Sequence, residues 1–108
     1  MPHFLLRLSP PRPNFPSDAS AAEMDAMGAH FAFWQAEAEA GTALAVGPVA
    51  DPAGIWGMAV IEVPDEAAAT GLSLRDPVIK ADLGFTYAVM PILSLIERRA
   101  PRPAQAEV

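Results

Sequence analysis

The hydrophobic pattern of this chain switches from alternation to helical spacing and back, twice over, and that order leaves few folds open. His3 to Leu8 is a short apolar run stopped by Ser9-Pro10-Pro11, with Phe4, Leu6 and Leu8 on one side and His3, Leu5 and Arg7 on the other. It reads as a strand. A helix signal runs from about Ser20 to Ala40. Ser20 and Glu23 have the spacing of a capping box, and Gly41 stands where a left-handed terminating residue is wanted. On that helix Met24, Met27, Phe31, Trp34 and Ala38 fall on one stripe expected to face the core, which leaves Phe33 among small and polar residues. Thr42–Gly47 and Ile55–Val63 follow as strands, separated by a turn region over Gly47–Gly54. Pro64-Asp65-Glu66 opens a second helix, Asp65 to about Leu74, which ends before Asp76-Pro77 because the residue preceding proline avoids helical backbone angles. Residues 77–84 connect to a last strand, Phe85–Ile92.

Strand, helix, strand, strand, helix, strand is the order of an α+β, ferredoxin-like βαββαβ fold: a four-stranded antiparallel sheet with two helices on one face. The expected organisation is a single domain over residues 1–96 and a flexible tail over 97–108. Residues 9–18 contain four prolines, so they form neither regular helix nor paired strand. The expectation is a stiff extended loop pinned by Phe15.

The net charge of −6 is unevenly spread. Residues 13–97 carry twelve acids against Arg75 and Lys80, whereas both ends of the chain are basic. An acidic body repels polyanions, so nucleic acid is not an expected partner. With 52% apolar and 19% charged residues the chain is too hydrophobic for wholesale disorder. The absence of cysteine excludes a disulfide scaffold, a thiolate-ligated zinc and a thiol nucleophile. Phe4-Leu5-Leu6, interrupted by Arg7, is too short for a secretory signal, and no apolar stretch approaches a bilayer span. A cytoplasmic protein with no membrane partner is expected.

The strands point to a second copy. An antiparallel sheet with one wet face should alternate apolar and polar residues. Residues 55–61 are apolar or glycine on both faces, and residues 85–92 carry no charge. With two helices covering one side, nothing in the chain remains to cover the other. A two-fold partner is the simplest remedy, and a homodimer is expected.

Few residues can carry chemistry. His30 lies at the flank of the helical stripe, beside Met27 and Trp34, where its surroundings can tune it for acid–base work; the bland alternative is a border histidine bonded to water or backbone. Asp76 has a sufficient structural role in its Asp-Pro turn. Paired with His30, it would fix one tautomer of the imidazole and stabilise its protonated form. His3, at the chain start, suits a surface or edge contact. No nucleophile elbow, dinucleotide fingerprint or phosphate loop occurs. No ligand spacing supports a metal site, and no cofactor is indicated.

The segments Met27-Gly-Ala-His30-Phe-Ala-Phe-Trp34, Gly41, Val46-Gly47-Pro48, Arg75-Asp76-Pro77-Val78 and Phe85-Thr-Tyr87-Ala-Val89, in this order and at these intervals, resemble the YCII-related (YciI-like) family over roughly residues 3–92. The Pro10–Pro16 loop is similar to that of its longer members. The resemblance implies a ferredoxin-like fold that dimerises into an α+β barrel and an active site built on a histidine and an aspartate, here His30 and Asp76. A few relatives act as dehydrochlorinases on chlorinated hydroxyquinols. Some members carry a charged residue just before the histidine, where this chain has Gly28-Ala29. An anionic-substrate clamp would then have to come from Arg7, Arg12 or Arg75.

The reading that follows is a small, cofactor-independent, lyase-like or dehydrochlorinase-like enzyme acting on a small cyclic or enolisable compound. His30 and Asp76 are its catalytic pair, and Phe33, Trp34, Trp56 and Arg75 its candidate substrate-binding residues. The alternative is a non-catalytic homodimer that binds a small metabolite. An oxygen-using monooxygenase is compatible with the architecture, but no particular residue supports it.

Overall fold

The computed structural model describes residues 1–98 and arranges them in the expected order with one addition. Four strands, β1 (His3–Ser9), β2 (Ala43–Val49), β3 (Trp56–Glu62) and β4 (Thr86–Ile92), form a sheet in the order β2-β3-β1-β4. All three neighbouring pairs are antiparallel. The helices α1 (Ala21–Glu39) and α2 (Glu66–Arg75) cross over one face. The ferredoxin-like α+β fold is therefore present. Beyond residue 98 the expected tail lies outside the described residues.

The caps explain the helix limits. Ser20 Oγ accepts from the Glu23 amide while Glu23 returns a bond to the Ser20 amide, so both partners of the capping box are made. Gly41 adopts φ +88°, a backbone region that an L side chain disfavours, and α1 stops there. Asp65 caps α2 through the Ala68 amide.

Three local expectations need correction. First, residues 77–84 are not merely a connection: Pro77–Lys80 forms one helical turn, α3. Pro77 sits in its first turn, where a missing N–H costs nothing. Second, β2 runs on through Gly47-Pro48 to Val49. It is an edge strand, and there proline need not interrupt a ladder. A register irregularity between Ala43 and Ala45 turns Ala43 inward and leaves Leu44 exposed. Third, α1 is rotated from the expected stripe. Glu23, Ala26, His30 and Trp34 are its buried residues, whereas Met24 and Phe31 are 53% and 57% exposed. Phe33, expected in water, packs half-buried against the main core and meets the Trp34 ring edge-on. An alanine-rich helix is nearly as apolar on one side as on another, so periodicity could not fix which face turns inward.

The core lies between helices and sheet. Phe4 and Leu6 from β1, Ala59 and Ile61 from β3, Trp34 from α1 and Leu72 from α2 form its larger cluster. A second cluster joins Leu8, Phe15, Ala26, Val78 and Phe85. Phe15 anchors the proline-rich loop edge-on against Phe85, ring centroids 5.1 Å apart. Arg12 ties the same loop to α1 by bonding both oxygens of Glu23 at 2.6 and 2.7 Å and Asp18 Oδ2 at 2.9 Å. The opposite sheet face presents Leu5, Met58, Val60, Met90 and Ile92, none of them buried, with no helix over them among the described residues.

Candidate active site

Asp76 owes its position to the residue after it. Proline at 77 holds Asp76 in an extended conformation, φ −61° and ψ 127°, so the chain leaves α2 and re-enters a helix at α3. Asp76 thereby closes α2 and caps α3. Its Oδ1 accepts from the Val78 amide at 3.0 Å, which leaves Oδ2 directed into the protein.

Three side chains converge on Oδ2. His30 Nδ1 lies 2.7 Å away, Trp34 Nε1 donates at 2.8 Å, and the Tyr87 hydroxyl donates at 2.5 Å. His30 and Trp34 stand one turn apart on α1, so both rings reach the same atom. Tyr87 comes from the helix-facing side of β4, opposite Leu8. Asp76 is wholly buried, and His30 and Trp34 retain only 7% and 2% of their exposure.

Burial by itself would push the Asp76 carboxyl up. The bonds from His30, Tyr87 and the Val78 amide outweigh it and hold the group below its ordinary value of 3.8. Burial, and then the bond to Asp76, push the Tyr87 phenol far above its usual range. Asp76 is thus an ionised acceptor, and the groups around it are donors. An ionised carboxylate can only accept, so the proton between it and His30 resides on Nδ1. In the neutral ring the lone pair then belongs to Nε2, which bonds to no other protein group among the described residues.

The imidazole forms part of the wall of a cleft of about 460 Å³ between α1, β2 and β3. Asp76 stands behind the ring, outside the lining. Met27, Phe31, Trp34, Ile55 and Phe85 contribute apolar surface, and His30 and Tyr87 are the titratable residues that line it. The cleft therefore faces a directed proton acceptor whose other nitrogen is fixed from within the core. Such an arrangement can accept a proton from a bound molecule and return it.

Of the residues singled out from the sequence, His30 and Asp76 meet, and Trp34 and Trp56 line the cleft. Phe33 and Arg75 do not line it: Phe33 packs into the core, and Arg75 ends α2 exposed to solvent. Neither Arg7 nor Arg12 lines it either. Arg7 stacks over the Trp56 ring at 4.4 Å, and Arg12 is engaged by Asp18 and Glu23. Sequence reasoning gave Trp34 only a wall's role and Tyr87 no role. A signal for Tyr87 existed, since a hydroxyl at an inward position of β4 needs a buried partner.

No curated protein matches the sequence. The family model described as YCII-related domain matches residues 4–93, which contain every strand, every helix and all four members of the buried cluster apart from the first residue of β1. The chain belongs to the YCII-related domain family.

Proposed function

We propose that the protein is an acid–base enzyme in which His30 Nε2 takes a proton from a small, largely apolar cyclic or enolisable substrate held in the cleft. The observation that carries this reading is the 2.7 Å contact between His30 Nδ1 and a completely buried, ionised Asp76, with the imidazole at the cleft wall. Asp76 fixes the tautomer and stabilises the imidazolium that forms. In a lyase-type step the substrate's proton passes to Nε2, its bonding electrons form the new π bond, and the leaving group departs with its own electron pair. His30 then returns the proton to solvent or product. With no arginine or lysine in the lining among the described residues, neutral substrates fit better than polyanions.

A homodimer belongs to this reading. The apolar residues on the uncovered sheet face support burial against a second copy, each buried Val, Ile or Met contributing on the order of 1.5–3 kcal/mol. Sedimentation should give twice the 11.4 kDa chain mass, and Val60→Glu should yield monomers. A wild-type protein that sediments as a single chain at all concentrations would overturn the dimer.

The catalytic test is a screen of small phenols, lactones and halogenated cyclic compounds with wild type, His30→Ala and Asp76→Asn. On a confirmed substrate His30→Ala should lose about 10²–10⁴-fold in kcat, with Asp76→Asn also strongly impaired because an amide no longer imposes the tautomer. Full turnover in both variants would end the proposal. The second reading, a metabolite-binding protein without turnover, draws on the apolar lining of the cleft. Its signature is tight binding of a compound that is recovered unchanged and whose affinity survives His30→Ala.

A further inference from the structure

At the far end of β1 from the cleft, and on the other face of the sheet, three ligand-type side chains converge. His3 opens β1, Glu62 closes β3 directly opposite it in register, and Glu97 follows β4. His3 Nε2 lies 3.2 Å from Glu62 Oε2 and 3.1 Å from Glu97 Oε1, and the three atoms fall within 4.8 Å of one another. Leu8, at the cleft, is five residues along β1, about 17 Å at ~3.4 Å per residue. The cluster is therefore separate from His30.

Two observations distinguish it from an ordinary ion pair. The Nε2 atom is buried yet makes no hydrogen bond, despite the short separations. In addition, the two glutamates converge with no lysine or arginine paired to either among the described residues. Like charges so close favour a cation between them. Ligand bonds of about 2.0–2.2 Å at tetrahedral angles place neighbouring donor atoms about 3.3 Å apart, and the two measured separations are close to that edge.

We propose that His3, Glu62 and Glu97 form a site for one zinc-class divalent ion, with imidazole nitrogen and two carboxylate oxygens as its protein ligands. The ion joins the segment after β4 to the ends of β1 and β3, a structural function independent of the cleft. The ligands come from distant parts of the chain, so no short spacing announces them in the sequence.

Untagged, chelator-treated protein titrated with Zn²⁺ by calorimetry, and with Co²⁺ by visible absorbance, tests the site. The expected result is one ion per chain. Binding should weaken at least tenfold in His3→Ala and in Glu97→Gln, while His30→Ala binds like wild type. Glu97 is exposed and ends no strand or helix, so its variant separates loss of a ligand from loss of the fold. Absence of saturable binding, unchanged binding in both ligand variants, or loss of binding in His30→Ala alone would overturn the proposal.

Discussion

The two histidines of this chain each stand beside carboxylates, and the differences between them separate two kinds of chemistry. His30 meets one carboxylate, buried and already saturated by other donors, along the line of its Nδ1–H; its remaining nitrogen is left for a cleft. His3 meets two half-exposed carboxylates at a sheet end, and its buried Nε2 hydrogen-bonds to neither. A directed bond to one fixed acceptor orients an imidazole for proton transfer. Two carboxylate oxygens at similar distances from one unbonded nitrogen present a place for a cation. Proximity of His to Asp or Glu is common to both and decides neither.

The largest effect that would sharpen this contrast is on stability. Asp76→Ala leaves the His30, Trp34, Tyr87 and Val78 donors without their acceptor in the core. Breaking such a buried charged network costs about 3–5 kcal/mol, to be read from the midpoint of urea denaturation. Removing the carboxylate of Glu62, part-exposed at the end of β3, should cost much less. Equal costs at the two sites would break the comparison.

Next come the supporting donors. Trp34→Phe or Tyr87→Phe removes one hydrogen bond to the charged Asp76, worth about 1.5–3 kcal/mol each, and should lower kcat with little change in KM. Retained kcat in both would leave these residues a purely structural part.

Acid sensitivity gives a smaller, graded effect. The Asp76 carboxyl is depressed in the folded protein, so its contribution is complete above its ordinary value of 3.8 and is lost as pH falls through the folded-state pKa. Glu23 behaves alike for a different reason: its bonds to Arg12 and to the Ser20 amide hold it at about 2 against an ordinary 4.5, so its contribution fades as pH falls from about 4.5 toward 2. Arg12→Ala should remove the part of the acid-unfolding slope that Glu23 supplies and leave the part due to Asp76. The Arg12 side chain is 35% exposed, and solvent screening keeps the effect small at neutral pH. An unchanged acid profile would contradict the Glu23 assignment.

Much of this was legible from residue order. Ser20, Glu23 and Gly41 marked both ends of α1, Asp65 marked the start of α2, and Pro77 marked the break that makes Asp76 a cap. The His30–Asp76 pairing was legible only through the family resemblance, since the positions are far apart in the chain. What the sequence hid has physical causes. Alanine on most sides of α1 obscured its inward face, so Phe33 and Phe31 exchanged expected environments. An edge strand tolerates Gly47-Pro48, which on its own reads as a turn. Tyr87 and the Nε1 of Trp34 acquire their roles by folding onto Asp76 Oδ2, a juxtaposition no local pattern records.

Asp76 holds the proton on His30 Nδ1 and leaves the Nε2 lone pair to the cleft. Nitrogen-15 NMR of the histidine side chains, recorded where the His30 ring is neutral, tests it most directly. The expected result is a protonated Nδ1 coupled to an unprotonated Nε2. A neutral His30 with its proton on Nε2 would contradict it.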